Sequence, residues 1–243
     1  MSRFYVPKEA VKEGKILITG KEAHHILNVM RLKVSDDVVV FDGTGREYAG
    51  IVKETGRKSL SVEIISTRNI SHGQVRSIIL IQSIPKKDKM DYIVEKATEL
   101  GVNIIMPVMT GRTVPDWNES KRSGMAERWQ KITEAAAKQC GRADIPQVLK
   151  ITSFEEAVSN ISANDLRLIA ALEDKAVKLK DALKDGSGIK TVIAIGPEGD
   201  FTAQEVRMAM DHGFKTVNLG PRVLKSDTAA LAALAMINYE YTN

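Results

Sequence analysis

The apolar positions of the chain change rhythm near residue 70. Before it they fall in short alternating stretches: "DDVVVFDG" (36–43), "EYAGIV" (47–52) and "SLSVEII" (59–65). Separated by "GTG" and "ETGRK" turns, they predict half-buried β-strands. One short helix, "KEAHHILNVMRL", begins near Gly20 and interrupts them, and the spacing fits a compact β-barrel. The polar stretch "STRNISHGQ" (66–74) reads as a linker. From Arg76 strand and helix alternate. "SIILIQSI" (77–84) is almost continuously apolar, as a strand covered on both faces requires. "KMDYIVEKATELG" (89–101) sets Met90, Ile93, Val94, Ala97 and Leu100 on one helical face, with Gly101 as its stop. "NIIMPVM" (103–109) is a strand, and residues 124–140 a helix with Met125, Trp129, Ile132, Ala136 and Cys140 on one stripe. There follow a strand "RLIAAL" (167–172), a lysine-rich helix or loop, a strand "KTVIAIG" (190–196) and a helix near 202–213. A strand "KTVNLG" (215–220) and a last helix, "DTAALAALAMINYEY" (227–241), complete the series. Five strands alternating with helices predict a mostly parallel α/β sheet, and the change of rhythm predicts two domains, 1–72 and 73–243.

Composition narrows the class. Of 243 residues 43% are hydrophobic, enough for a proper core. The net charge is +4; residues 1–72 carry 12 Lys/Arg against 9 Asp/Glu, so most of the excess lies in the N-terminal part. That mild excess is compatible with nucleic acid. Cys140 is alone, which excludes an internal disulfide and a thiolate metal cage, and is read as core on its apolar stripe. The four histidines show no ligand spacing, so no metal is expected. With neither a signal peptide nor an apolar run of membrane-spanning length, the expectation is a cytoplasmic protein without a membrane partner.

In parallel α/β sheets ligands bind outside the carboxyl ends of the strands. Two such ends combine glycine and proline where the chain must turn: "IGPEGDF" (195–201) and "LGPRVLKSDTA" (219–229). Thr202 and Glu205 follow the first in capping-box spacing. Other phosphate and nucleophile motifs are absent. "GTGREYAG" (43–50) has only the first two glycines of a dinucleotide fingerprint and reads as a hairpin turn, and neither a Walker A sequence nor a nucleophile elbow occurs. Adjacent Gly-Pro loops make one crevice whose free backbone groups can read an adenine edge. Glu198 and Asp200 would repel phosphate, so a ligand with a positive centre and no phosphate suits it better.

Taken in order, "EKATELG" (95–101), Pro107, "AAKQCGRADIP" (136–146), "IGPEGDF" and "LGPRVLKSDTA" resemble the ribosomal RNA small subunit methyltransferase E family. "AHHILNVMRL" (23–32) and "FDGTGREYAG" (41–50) resemble that family's opening domain. The resemblance covers essentially the whole chain. It implies a PUA-like N-terminal β-barrel followed by a SPOUT-type α/β domain with a C-terminal trefoil knot, in a homodimer. It also implies S-adenosyl-L-methionine as cofactor, a sulfonium that meets the description above. The implied reaction is methylation of uridine N3 in 16S ribosomal RNA within the small ribosomal subunit. Three positions depart from the family's pattern: Asp200 stands in place of a glycine, Lys225 of an arginine and Asp227 of a glutamate.

Uridine N3 is a weakly acidic imide, so its methylation needs a general base, a donor for the charge on O2 and O4, and an in-line sulfonium. Base pairing hides N3, so the target must be unpaired or extruded. Glu198 is the first candidate base, or else an acceptor that stabilises its loop. Asp227 is the second, or else an N-cap. Arg142 is a candidate clamp for the uracil or a phosphate, or else a helix C-terminal arginine. The cofactor wall is assigned to Leu172, Gly196, Pro197, Gly199, Leu219, Gly220, Leu224 and Thr228, the leucines being ordinary core in the alternative. For RNA, Arg3, Arg31 and Lys33 in the barrel and Lys86, Lys87 and Arg112 near the strand ends are candidates, or simply solvated surface. Two other readings stay open: a non-catalytic RNA-binding protein of the same fold, and a methyltransferase acting on a ribose 2′-hydroxyl or another base.

Overall fold

The computed structural model describes residues 3–70, 76–173, 175–184 and 190–241. Its contacts divide the chain into two units, the first joining the N-terminal part to Ala137–Ile145, the second holding the rest. The boundary at 72/73 lies outside the described residues. The segment Ala137–Ile145, which sequence order assigns to the second domain, makes its contacts in the first unit. There the Gly45 N–H donates to the Ala143 carbonyl and the Ile145 N–H to the Gly43 carbonyl, both at 3.0 Å.

In the first unit lie strands β1 (Arg3–Tyr5), β2 (Val11–Lys12) and β3 (Lys15–Thr19), helix α1 (Gly20–His24), and strands β4 (Asp37–Phe41), β5 (Arg46–Thr55) and β6 (Ser59–Asn69). Ser66–Asn69, read from sequence as linker, is therefore the end of a strand, held by pairing of Ser66 to Asn69 with Ala49 to Arg46; residues 71–74 of that stretch lie outside the described residues. Among the described residues the sheet order is β1-β4-β5-β6-β3-β2, β1 and β4 being parallel and the other pairs antiparallel. Period-2 alternation turns Ile16, Ile18, Val38, Val40, Leu60 and Val62 into one core with Phe4 and Ile26. Ile26 belongs to a single π-helical turn, His25–Val29, that continues α1.

The second unit alternates as expected: β7 (Ser77–Ser83), α2 (Lys89–Glu99), β8 (Ile104–Met109), α3 (Glu119–Cys140, its last turn within the first unit), β9 (Gln147–Val148), β10 (Thr152–Ser153), α4 (Phe154–Ser159) and β11 (Leu166–Ala170). Then come β12 (Val177–Lys178), α5 (Leu179–Lys184), β13 (Lys190–Ile195), α6 (Ala203–Asp211), β14 (Lys215–Asn218) and α7 (Ser226–Tyr241). All described strand pairs here are parallel, in the order β10-β8-β7-β13-β11-β14-β12, with β9 beside β8. Helices cover both faces. One core gathers Ile93, Trp129, Leu234 and Ile237, the other Phe154, Phe201, Val206 and Phe214. Because β13 and β14 flank β11, the chain leaving β13 steps back across β11, which puts a switch in strand order at its carboxyl end.

Cys140 is exposed, contrary to its reading as core, because it stands in the last turn of α3, beyond the point where the stripe is buried. Trp129 on that stripe is fully buried and its Nε1–H donates to Asp91 Oδ1 at 3.1 Å. Trp129→Ala is expected to cost about 3–5 kcal/mol of stability, seen as a lowered urea midpoint with little change of slope.

Candidate active site

The carboxyl ends of β11, β13 and β14 open on a cleft of about 620 Å³, part of it open to solvent, whose far side is the start of α7. Leu172, Gly196, Pro197, Leu219, Gly220 and Leu224 line it, as the two Gly-Pro loops foretell. Gly199 and Thr228 do not: the Gly199 carbonyl is held by Arg112, and Thr228 is exposed on α7. Asp200, read from sequence as an acid of this crevice, lines it too, as do Arg222, Val223 and Ser226, which carry no assignment from sequence. They sit in the same two loops, so loop membership was the signal; residue type was not. Leu172 and Val223, 66% and 73% exposed, form an apolar rim. Gly196 sits in tight space: a Cβ there would lie 3.1 Å from both Asp200 Oδ1 and the Phe201 nitrogen. Gly220 takes φ +130°, a backbone that side chains rarely adopt.

Loop 196–201 is braced from four separate elements. The Ser226 hydroxyl at the start of α7 donates to the Gly196 carbonyl at 2.5 Å and accepts from Gln82 Nε2 of β7 at 3.1 Å. From the β7–α2 connection, the Lys86 N–H and the Lys89 ammonium donate to Glu198 at 3.1 and 2.9 Å. Arg112, after β8, donates through Nη1 to the carbonyls of Gly199 and Phe201. Beyond β11, the Leu172 N–H donates to Asp200 Oδ2 at 3.2 Å. The capping box forms as the sequence implies, Thr202 and Glu205 bonding reciprocally, and the spare Glu205 Oε1 accepts from the Gly111 N–H at 2.8 Å.

The charge arrangement centres on Lys89. Its ammonium is 2.9 Å from Glu198 Oε1 and 3.7 Å from Asp227 Oδ1. The hydrogen bond to Glu198 raises the Lys89 ammonium above its ordinary value. Burial alone would raise the Glu198 carboxyl, but the hydrogen bonds from Lys89 and from backbone N–H groups outweigh it and hold the group below its ordinary value. Asp227 stands in the first turn of α7, not as its cap, and its Oδ1 accepts no hydrogen bond.

The remaining candidates fall elsewhere. Arg142 lies in the first unit, 7% exposed, its Nε and Nη2 directed at the two oxygens of Asp144. Arg3 is not a free surface cation: its guanidinium stacks 4.5 Å from the Phe41 ring centroid, and its Nε donates to Glu47 at 2.8 Å. Arg31 and Lys33 are exposed beyond the π-helical turn, and Lys86 and Lys87 are exposed before α2. Arg112 is exposed but engaged as above. Among the described residues no cluster of His, Cys, Asp or Glu fit for a metal occurs, and no helix is long and apolar enough to cross a membrane.

Comparison with known proteins covers both units. Residues 73–238 match the family model described as an RNA methyltransferase domain, and residues 18–65 that of an RNA methyltransferase PUA domain. The ribosomal RNA small subunit methyltransferase E of Bacillus subtilis is 30% identical over 251 residues, covering 99% of this chain and 97% of its own. The protein of that name from Synechocystis is 29% identical, covering 97% of this chain and 77% of its own. The crystal structure of a ribosomal RNA small subunit methyltransferase E from Neisseria gonorrhoeae bound to S-adenosyl methionine superposes with a TM-score of 0.88 at 32% identity, over 99% of this chain and 98% of that one.

Proposed function

Since the chain belongs to the ribosomal RNA small subunit methyltransferase E family, we propose that it methylates N3 of a uridine in 16S ribosomal RNA, using S-adenosylmethionine bound in the cleft at β11, β13 and β14. Family membership also names the fold: a PUA-like barrel followed by a SPOUT-type α/β domain with a knotted C-terminal part, which agrees with the step back across β11. The observation that carries the reading is the cleft itself, formed by both Gly-Pro loops at the switch in strand order. Its lining fits the cofactor. Leu172 and Leu224 offer apolar surface for a purine, Gly196 and Gly220 bring bare backbone close, and the carboxylates of Glu198 and Asp200 suit a cation rather than a phosphate. When bound, the cofactor supplies a methyl group on positively charged sulfur.

Glu198 is tethered by Lys86 and Lys89, and its carboxyl is held below its ordinary value, which supports its role as a brace rather than a base. We assign the imide proton to Asp227, whose buried Oδ1 accepts no hydrogen bond and which shares Lys89 with Glu198 beside the cleft-lining Ser226. The Asp144 partnership of Arg142 supports its structural reading, while the exposed Arg31, Lys33, Lys86 and Lys87 suit RNA phosphates. Incubating 30S subunits and naked 16S RNA with protein and cofactor, then analysing nucleosides by mass spectrometry, tests the reading. It predicts 3-methyluridine. A 2′-O-methyl product would support the other reaction, and RNA binding without transfer the non-catalytic alternative.

The homodimer is assigned to α7, a helix apolar on nearly all sides. Ala230, Ala233, Leu234 and Ile237 are buried, yet Met236 and Tyr239 on another face are 37% and 86% exposed. Met236→Lys with Tyr239→Lys is expected to shift sedimentation from dimer to monomer without loss of helical signal.

A further inference from the structure

Asp200 holds a backbone conformation that costs an L-residue energy. Its φ is +61°, in the left-handed region that favours glycine. Aspartate tolerates it better than most residues because its short side chain can bond to nearby backbone. Here both carboxylate oxygens do so, Oδ1 accepting from the Phe201 N–H at 2.8 Å and Oδ2 from the Leu172 N–H at 3.2 Å. The first bond is local; the second reaches a different strand end. Leu172 follows β11, and its side chain forms part of the apolar rim. Gly196 leaves the space the carboxylate occupies, since a Cβ there would stand 3.1 Å from Asp200 Oδ1.

We propose that Asp200 is a positioning residue for the cofactor: its carboxylate pins the Leu172 segment to loop 196–201 and so sets the width of the cleft. The inference rests on the reading of the cleft as the S-adenosylmethionine site. The chemistry makes the carboxylate hard to replace. Glycine keeps the backbone but offers no acceptor. Asparagine offers one oxygen, and its amide NH₂ then confronts one of the two N–H donors. Losing the bond frees Leu172 to leave the rim, which lowers affinity for any ligand that Leu172 covers, whether or not that ligand is positively charged.

The full chain and its Asp200→Asn and Asp200→Gly variants would be titrated with S-adenosylmethionine and with S-adenosylhomocysteine, which lacks the positive sulfur. Amide exchange at Leu172 would be followed without ligand. Both variants are expected to bind both ligands about ten-fold more weakly. In turnover, KM for the cofactor should rise with kcat nearly unchanged, and Leu172 exchange should quicken in both. The glycine variant relieves the backbone cost, so its unfolding midpoint should not fall; weaker binding by a variant no less stable is an effect that mere scaffolding would not give. Affinities within two-fold of the parent protein, with unchanged exchange at Leu172, would overturn the inference. A loss confined to S-adenosylmethionine would overturn it too, by showing that the charge acts directly. If the parent chain bound neither ligand, the reading of the cleft would fail first, and the inference with it.

Discussion

A Gly196→Trp variant is expected to show no measurable heat of S-adenosylmethionine binding in isothermal titration, a loss of at least about 100-fold, while remaining folded. Even a methyl group at Gly196 would press on Asp200 Oδ1 and the Phe201 nitrogen at 3.1 Å, so an indole must turn into the cleft that Gly196 lines. Gly196 directly follows the buried strand β13, and its carbonyl is fixed by the Ser226 hydroxyl. That bond opposes a backbone shift that would clear the cleft. Binding retained within ten-fold in a variant with native circular dichroism would place the cofactor elsewhere.

The second large effect separates two carboxylates that share one lysine. Asp227→Asn is expected to reduce kcat for methyl transfer by about 10² to 10⁴, the range for a lost general base, with cofactor affinity little changed. Glu198→Gln should do the reverse. It weakens the brace from Lys86 and Lys89, so cofactor KM rises and the unfolding midpoint falls, while kcat stays within a few-fold. The pH dependence follows from the direction of the Glu198 shift. Its folded-state value lies below the ordinary 4.5, so the brace stabilises the protein above that pH and is lost as pH falls through the depressed value. The stability difference between Glu198→Gln and the parent chain should therefore be full at neutral pH and vanish in acid, as urea titrations at several pH values would show. If Glu198→Gln instead removed turnover and Asp227→Asn did not, the roles would be exchanged.

The long strands of the second unit were legible because burial on both faces leaves near-continuous apolar runs, as in "SIILIQSI" and "KTVIAIG". The start of α6 was legible from Thr202 and Glu205 alone. Helix α4 carries no readable pattern although Ser153 caps it through the Glu156 N–H, because six residues are too few for a period of 3.6 to declare itself. Strands β1 and β2, three and two residues long, carry no pattern at all. In the site, glycine and proline marked the cleft loops, since backbone demands are written in residue type. Lys89 was not legible, for its importance depends on meeting Glu198, 109 residues away. Arg112 and Arg3 read as surface cations because nothing local shows a carbonyl or an aromatic ring waiting for them. The assignment of Ala137–Ile145 to the N-terminal unit was hidden for the same reason.

The bracing of loop 196–201 joins residues 28, 87, 109 and 30 positions apart, and behind it Gln82 meets Ser226 across 144. Contacts of such separation are slow to form, since each closes a long loop before it gives anything back. The cleft thus cannot mature early on a nascent chain, nor survive in a fragment lacking Ser226. Cofactor capture requires that the chain has been made as far as Ser226 and that these distant segments have met.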